Sequence, residues 1–277
     1  MLSPKNGETM VDATLGGGGH ASILLEKAAI RLIGFDADPQ ALVRVEERLG
    51  KDVATLVPSN FRHIQSVLEG KGIERIDGAL FDLGLSSDEL EQSGRGFSLK
   101  RDEPLLMTFD PSQEFTARDL LAHLGAEDLA VILKKYGEET YAWRIAQAIV
   151  KARTVEPIEH TLQLAEIIKG AVPFVYRHGR IHPATKTFQA LRIAVNDELD
   201  ALREGLSGAW EKLAKGGRLA VISFHSIEDR IVKEFMKAKA TAGEGELLSK
   251  KPVTASKEEL AKNPRARSAK LRGIVKV

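Results

Sequence analysis

Asp12-Ala13-Thr14-Leu15-Gly16-Gly17-Gly18-Gly19-His20 sets four consecutive glycines directly behind an apolar run that begins at Met10. The run 10–15 has strand length, and a helical pattern follows over about 20–28. A turn between a buried strand and a helix needs backbone freedom, and a ligand approaching it needs the absence of a Cβ; glycine supplies both. The helix start adds N–H groups that have no partner inside the helix. The next apolar run, 31–36, ends in Gly34-Phe35-Asp36-Ala37-Asp38. Asp36 lies 20 residues beyond Gly16, the separation at which an acid meets a ribose diol in nucleotide-binding sheets.

Further strand-length runs lie at 53–57, 76–82 and 218–224, with helical patterns at 38–49 and 61–70. They read as unbroken apolar stretches, as expected of parallel strands covered on both faces. Alternation of strand and helix predicts an open α/β sheet with right-handed crossovers. The alternation stops after Gly84. Helical patterns follow at 116–124, 126–136, 138–153 and 161–170, and Thr116 with Asp119 has the form of a capping box. From Phe188 one long amphipathic helix is predicted through Leu191, Val195, Leu199, Leu202, Leu206, Trp210 and Leu213, seven steps over 25 residues and so the α-helical period. Lys215-Gly216-Gly217 ends it and feeds the fifth strand. The expected organisation is a discontinuous core, 1–91 and 185–277, interrupted by a helical domain at 92–184.

Composition narrows the function class. The chain has 277 residues, 43% hydrophobic and 29% charged, an ordinary globular balance. No apolar stretch reaches the roughly 18 residues a membrane helix requires. Residues 1–9 are polar and lack the form of a secretory signal. There is no cysteine, so disulfides and thiolate-ligated metals are excluded and a reducing, cytoplasmic setting is compatible. The histidines at 20, 178, 182 and 225 match no ligand spacing, and no metal is expected.

Two cofactors fit the turn. Gly16-x-Gly18-x-x-Ala21 satisfies a dinucleotide fingerprint, which would make an NAD-dependent oxidoreductase. S-adenosylmethionine on a similar sheet also uses a glycine turn and a ribose-binding acid. Asp12 favours the methyl donor, since it would repel a pyrophosphate and could hold an amino-acid moiety. Asp82-Leu83-Gly84-Leu85-Ser86-Ser87 places another acid at the carboxyl edge of the sheet, where ligands bind in such folds. No phosphate-binding Arg or Lys stands in either segment.

Besides these segments, the chain carries Arg95-Gly96-Phe97-Ser98, Tyr136-Gly137-Glu138-Glu139, His182-Pro183-Ala184-Thr185-Lys186-Thr187-Phe188-Gln189-Ala190-Leu191-Arg192-Ile193, Ser223-Phe224-His225-Ser226-Ile227-Glu228-Asp229-Arg230 and Asn263-Pro264-Arg265-Ala266-Arg267-Ser268. With them it resembles, over nearly its whole length, the bacterial ribosomal RNA small-subunit methyltransferase H family. The resemblance implies a class I S-adenosylmethionine-dependent methyltransferase fold, Rossmann-like and mostly parallel, with an inserted all-helical domain for RNA recognition. It implies methylation of the exocyclic N4 amine of a cytosine in 16S ribosomal RNA, free or in the small subunit, by a cytoplasmic protein with no membrane partner. Monomer and homodimer are equally compatible. Donor contacts are implied at Gly18, Gly19, His20, Asp36, Phe61 and Asp82, and at Glu89, where the family has Gln or His. The family reads Gly, Asp and Arg at the positions of Glu103, Leu106 and Thr108, and carries about one more helix before the first strand. Glu89, the altered 103–108 segment and the short start keep a catalytically silent RNA-binding protein open as an alternative.

The cytosine amine is a poor nucleophile because its lone pair is delocalised into the ring. An acceptor for its N–H groups is therefore needed, and positioning supplies most of the rate. Asp82 is the candidate, with the backbone of 83–86 as the alternative. Asp-Leu-Gly-Leu lacks an aromatic, so stacking of a flipped base falls to Phe224, flanked by Ser223 and His225 on the substrate side; His225 reads better as a helix cap than as a base. Between Lys169 and Arg192 the basic residues Lys169, Arg177, Arg180, Lys186 and Arg192 occur with no acid, interleaved with Phe174, Tyr176 and Phe188. From 249 to 277 nine Lys or Arg face two Glu. Lys186 and Arg192 are taken as RNA-binding. The net charge of +1 thus hides two basic regions suited to phosphate.

Overall fold

The computed structural model describes residues 1–51, 53–91 and 93–277. The strands are β1 (Thr9–Asp12), β2 (Arg31–Asp36), β3 (Ala54–Pro58), β4 (Ile76–Asp82), β5 (Leu213–Ser223), β6 (Gly245–Leu247) and β7 (Lys270–Lys276). They form one sheet in the order β3-β2-β1-β4-β5-β7-β6. Neighbours from β3 to β5 are parallel, while β7 runs antiparallel between β5 and β6. Helices α1 (Gly19–Lys27), α2 (Pro39–Leu49) and α3 (Ile64–Gly70) make the first three crossovers. The mostly parallel α/β sheet that the sequence predicts is therefore present. Strand order steps outward from β1 to β3 and then restarts on the other side of β1 with β4. That reversal opens a crevice at the carboxyl ends of β1 and β4, where open sheets bind ligands.

The core follows from the apolar runs. Met10, Leu15, Ala21, Leu24, Leu32, Leu42 and Val45 form one buried cluster from β1, the turn after it, β2, α1 and α2. Phe35, Phe81, Ile76, Leu68 and Trp210 are also buried.

The chain divides into two compact units, residues 1–85 with 199–277, and residues 86–198. The second holds α4 (Ser87–Glu91), α5 (Ala117–His123), α6 (Ala126–Gly137), α7 (Ala142–Arg153), α8 (Thr161–Ala171), α9 (Phe174–Arg177) and α10 (Thr185–Asn196). The Thr116–Asp119 capping box is present at α5. The chain returns to the sheet through α11 (Glu198–Lys212), followed after β5 by α12 (Ser226–Thr241) and α13 (Lys257–Lys262).

Three expectations need correction. The single helix predicted from Phe188 to Leu213 is two, α10 and α11, because Asp197 adopts a left-handed conformation at φ 49°, and the second ends at Lys212: Leu213 opens β5, which itself contains the Lys215-Gly216-Gly217 expected to end the helix. All eight periodic positions are buried nonetheless; one left-handed residue turns the axis without disturbing the apolar spacing, so periodicity could not reveal it. The helix predicted from 138 begins at Ala142, since Glu138 is left-handed at φ 48° and caps α6. The antiparallel strands β6 and β7 were not anticipated. β7 buries Gly273 and Ile274 in a run that begins and ends with lysine, and the positive charge of the segment obscured it as a strand.

Candidate active site

The carboxyl ends of β1, β2 and β4 bring three acids to one edge of the first unit. Register pairs Asp12 with Gly34 on one side and Leu80 on the other, which fixes the relative heights of Asp12, Asp36 and Asp82. The glycine turn leaves β1 there. Gly16 and Gly18 have φ of 50° and 72°, a region closed to most side chains. A Cβ at Gly18 would lie 3.0 Å from a Val45 methyl carbon, so α2 presses on the turn from behind. Gly19 faces open space, with nothing within 4 Å of where its Cβ would be. Gly18 is the N-cap of α1 and offers no side-chain cap, so the first N–H groups of the helix stay available to a ligand.

Asp36 is held from two sides. Its Oδ2 accepts from Gly16 N at 2.8 Å and its Oδ1 from Asp38 N at 2.9 Å. Each oxygen keeps a further lone pair, which is what two ribose hydroxyls require. Burial pushes the Asp36 carboxyl above its ordinary value, against the pull of those two N–H donors. Phe61 opens the 3-10 turn Phe61–His63 after β3. Its ring meets Phe81 edge-on at 5.5 Å. Gly205 of α11 approaches so closely that a Cβ there would stand 2.6 Å from the Phe61 ring.

Asp12, Asp82 and His20 form a linked group. Asp82 N donates to Thr14 Oγ1 at 2.6 Å, which anchors the end of β4 to the turn. His20 Nε2 lies 3.3 Å from Asp82 Oδ2. The hydrogen bond to Asp82 raises the His20 pKa, although burial opposes it. Burial pushes Asp12 up to about 6, despite a hydrogen bond from Thr14 N. Asp12 Oδ2 and Asp82 Oδ1 are both buried with no hydrogen-bond partner. Two orphaned carboxylate oxygens beside an open glycine turn are a costly arrangement unless a ligand supplies donors or positive charge. They suit an ammonium, a sulfonium or an amine and oppose a pyrophosphate, so the residues fit S-adenosylmethionine and disfavour NAD. No cluster of His, Asp and Glu among the described residues is arranged to hold a metal ion.

Phe224 directly follows β5 beside this edge: a Cβ at Gly84 would lie 3.5 Å from its ring. His225 is the N-cap of α12, its ring accepting from Glu228 N. Glu228, which sequence reasoning passed over, accepts from Phe224 N at 2.9 Å and from His225 N at 3.3 Å. The His225-x-x-Glu228 spacing is a reciprocal cap that could have been read from sequence. Thr14 was missed as well, and nothing in its spacing marks it. Ser223 is buried, with its hydroxyl 3.4 Å from the Lys270 carbonyl.

Glu89, Lys186 and Arg192 lie in the second unit. Glu89 caps α4 reciprocally with Ser86: its carboxylate accepts from Ser86 N at 2.7 Å and its N–H reaches Ser86 Oγ at 3.1 Å. Lys186 Nζ donates to the Glu138 carbonyl at 3.0 Å. Arg192 holds Glu198 through two bonds of 2.7 and 2.9 Å, both side chains 12% exposed. In the segment that departs from the family pattern, the buried Glu103 accepts from Gly96 N at 3.0 Å, and Met107 O accepts from Asn196 Nδ2 at 2.7 Å. In the C-terminal basic run, Lys270 and Arg272 pair with Asp229, and Lys276 Nζ donates to the Trp210 carbonyl.

Against known proteins, the model of the MraW methylase family matches residues 1–277. A ribosomal RNA small subunit methyltransferase H of Geobacter sp. (strain M21) is 47% identical over 295 residues, covering 100% of this chain and 95% of its own. The protein of that name from Heliobacterium modesticaldum is 46% identical over 297 residues, with 100% and 95% covered. That of Deinococcus deserti is 50% identical over 276 residues, with 100% and 89% covered. Likeness of this order along the entire chain, around an edge already suited to a cationic nucleoside, makes the chain a member of the MraW methylase family.

Proposed function

We propose that this protein transfers a methyl group from S-adenosylmethionine to the N4 amine of a cytosine in small-subunit (16S) ribosomal RNA, in the cytoplasm. Gly18, Gly19 and His20 would hold the donor at the turn, Asp36 its ribose, Asp12 its amino-acid ammonium, and Phe61 the side of the pocket after β3. The donor supplies an electrophilic methyl on a cationic sulfur.

Asp82 Oδ1 carries the reading, as a buried acceptor with no partner of its own. Accepting one N4–H there draws the nitrogen out of conjugation with the ring and turns its lone pair toward the methyl. His20 on Oδ2 and Thr14 on the backbone N–H hold that carboxylate in place. Phe224, fixed by Glu228, offers the stacking face for an extruded base. The proton shed by the product passes to water, and His225, occupied as a cap, is not needed as a base. RNA recognition falls to the helical segment 92–184 with Lys186, and Arg192 supports it as a structural residue. Among the described residues no helix is long and apolar enough to cross a membrane.

The test is methyl transfer from labelled donor to 16S RNA and to small subunits. The wild type is expected to label one of them and Asp82→Ala to lose the label. A wild type that labels neither refutes the proposal.

A further inference from the structure

The second unit carries an exposed apolar ridge that the methyl-transfer site does not account for. Helix α9 is one turn long, yet Phe174 is 70% and Val175 83% exposed. His178 stacks on Phe174 with ring centroids 4.2 Å apart, and its Nδ1 lies 3.0 Å from the Phe174 carbonyl. The turn is nevertheless tightly fixed. Tyr176 donates its hydroxyl to the Glu139 carboxylate, with distances of 3.0 and 2.9 Å to the two oxygens, and Glu139 is fully buried and also accepts from Tyr141 N at 2.9 Å. Tyr176 packs edge-on against Tyr141 at 5.0 Å. Arg177 ties the other side to the carbonyls of Val172 and Gly170 at 2.9 and 3.2 Å. So short a helix held by a buried strut presents its two rings to solvent rigidly.

The surrounding charge indicates the partner. Arg177 and Lys186 give their hydrogen bonds to neutral carbonyls, so their charges stay uncompensated by them. Arg180 is exposed, and no carboxylate among the described residues pairs with it. No acid occurs between Lys169 and Arg192. Exposed flat rings in a stretch of chain that carries cations and no acid are complementary to unpaired nucleotides, whose bases stack and whose phosphates carry charge.

We propose that the Phe174–His178 ring pair, with Arg177 and Arg180 next to it in the chain, is a stacking platform for an unpaired stretch of RNA. The inference rests on the reading of the protein as an RNA methyltransferase and adds a docking surface for its substrate. A base on Phe174 stacks in the way that single strands do on aromatic platforms, and Arg180 contacts phosphate.

The full-length protein is titrated with a short labelled single-stranded RNA and with the duplex of the same sequence, across a range of salt. Phe174→Ala is expected to weaken the single strand about tenfold or more, the usual weight of one stacked base. Phe174→Trp is expected to restore it, and the duplex to bind less well than the strand. Arg180→Ala is expected to reduce the salt slope by about 0.7, one phosphate's share on a single strand. S-adenosylhomocysteine affinity and melting temperature should stay unchanged in every variant, which shows that the fold and donor site are intact. Unchanged RNA affinity in Phe174→Ala, or equal binding of duplex, overturns the platform. Full recovery with Phe174→Leu, which keeps apolar bulk without a ring, also overturns it and points to a protein partner instead. Methyl transfer to small subunits, measured in parallel, separates the claims. Transfer with an unchanged KM in Phe174→Ala sinks the platform alone, while no transfer by the wild type sinks the activity reading.

Discussion

At the scale of the residue, the site is a balance of carboxylates left short of partners. Asp82 uses one oxygen on His20 and leaves the other free. Removing its charge with Asp82→Asn is expected to lower kcat by about 10²–10³, the usual cost of losing one transition-state electrostatic contact. Affinity for S-adenosylhomocysteine should fall far less, so single-turnover transfer and calorimetric binding, compared side by side, check the assignment. Asp12 makes a pH prediction. Its folded pKa of about 6 exceeds the ordinary 3.8, so its ionisation costs the free protein stability. That cost is fully present above pH 6 and is relieved as pH falls toward 3.8, and neutralising the group with Asp12→Asn should stabilise the free protein at pH 8 by at most about 3 kcal/mol. A bound ammonium reverses the preference and favours the ionised form. S-adenosylhomocysteine affinity should therefore drop as pH falls through 6 in the wild type and stay flat in Asp12→Asn; parallel curves for the two proteins would remove Asp12 from the pocket. Gly19→Ala offers a cleaner probe of the turn. Its φ is not positive and open space surrounds it, so melting temperature should hold while ligand affinity drops at least tenfold. Full affinity in that variant would mean that no ligand passes close to the bend.

At the scale of the element, what could be read from sequence was what local pattern determines. The strand–glycine–helix unit, the acid ending β2 and the Thr116 cap each declare themselves within a few residues. What escaped reading depends on partners distant in sequence. Arg192 looks like an RNA contact in a basic stretch, yet its guanidinium is committed to Glu198 in a mostly buried pair at the end of α10. Removing one member of such a pair strands the other, at a cost of about 3–5 kcal/mol when buried and less here because both retain some exposure. Arg192→Ala is thus expected to lower the melting temperature by several degrees and to leave the salt slope of RNA binding unaltered; a normal melting temperature with a reduced slope would restore Arg192 to the RNA surface. Lys270 and Arg272 are similar, since sequence shows a basic tail where the fold has an inner strand tied to Asp229. Glu89 reads as a donor contact by position, but its carboxylate closes the cap of its own short helix.

At the scale of the whole molecule, a near-zero net charge says nothing of function, and the placement of charge says a good deal. The first unit gathers acids at the reversal of strand order, where a cationic donor is welcome. The second keeps a stretch free of acids around an exposed pair of rings. On the proposed reading, those two preferences correspond to the two substrates of one reaction. The central claim is that the reacting atom is an exocyclic cytosine nitrogen presented to Asp82. It is tested most directly by incubating the protein with unmethylated small subunits and S-adenosylmethionine, digesting the RNA, and identifying the methylated nucleoside by mass spectrometry. The account predicts N4-methylcytidine, lost with Asp82→Ala. A methyl group on a ribose, on a ring carbon or on another base would contradict it.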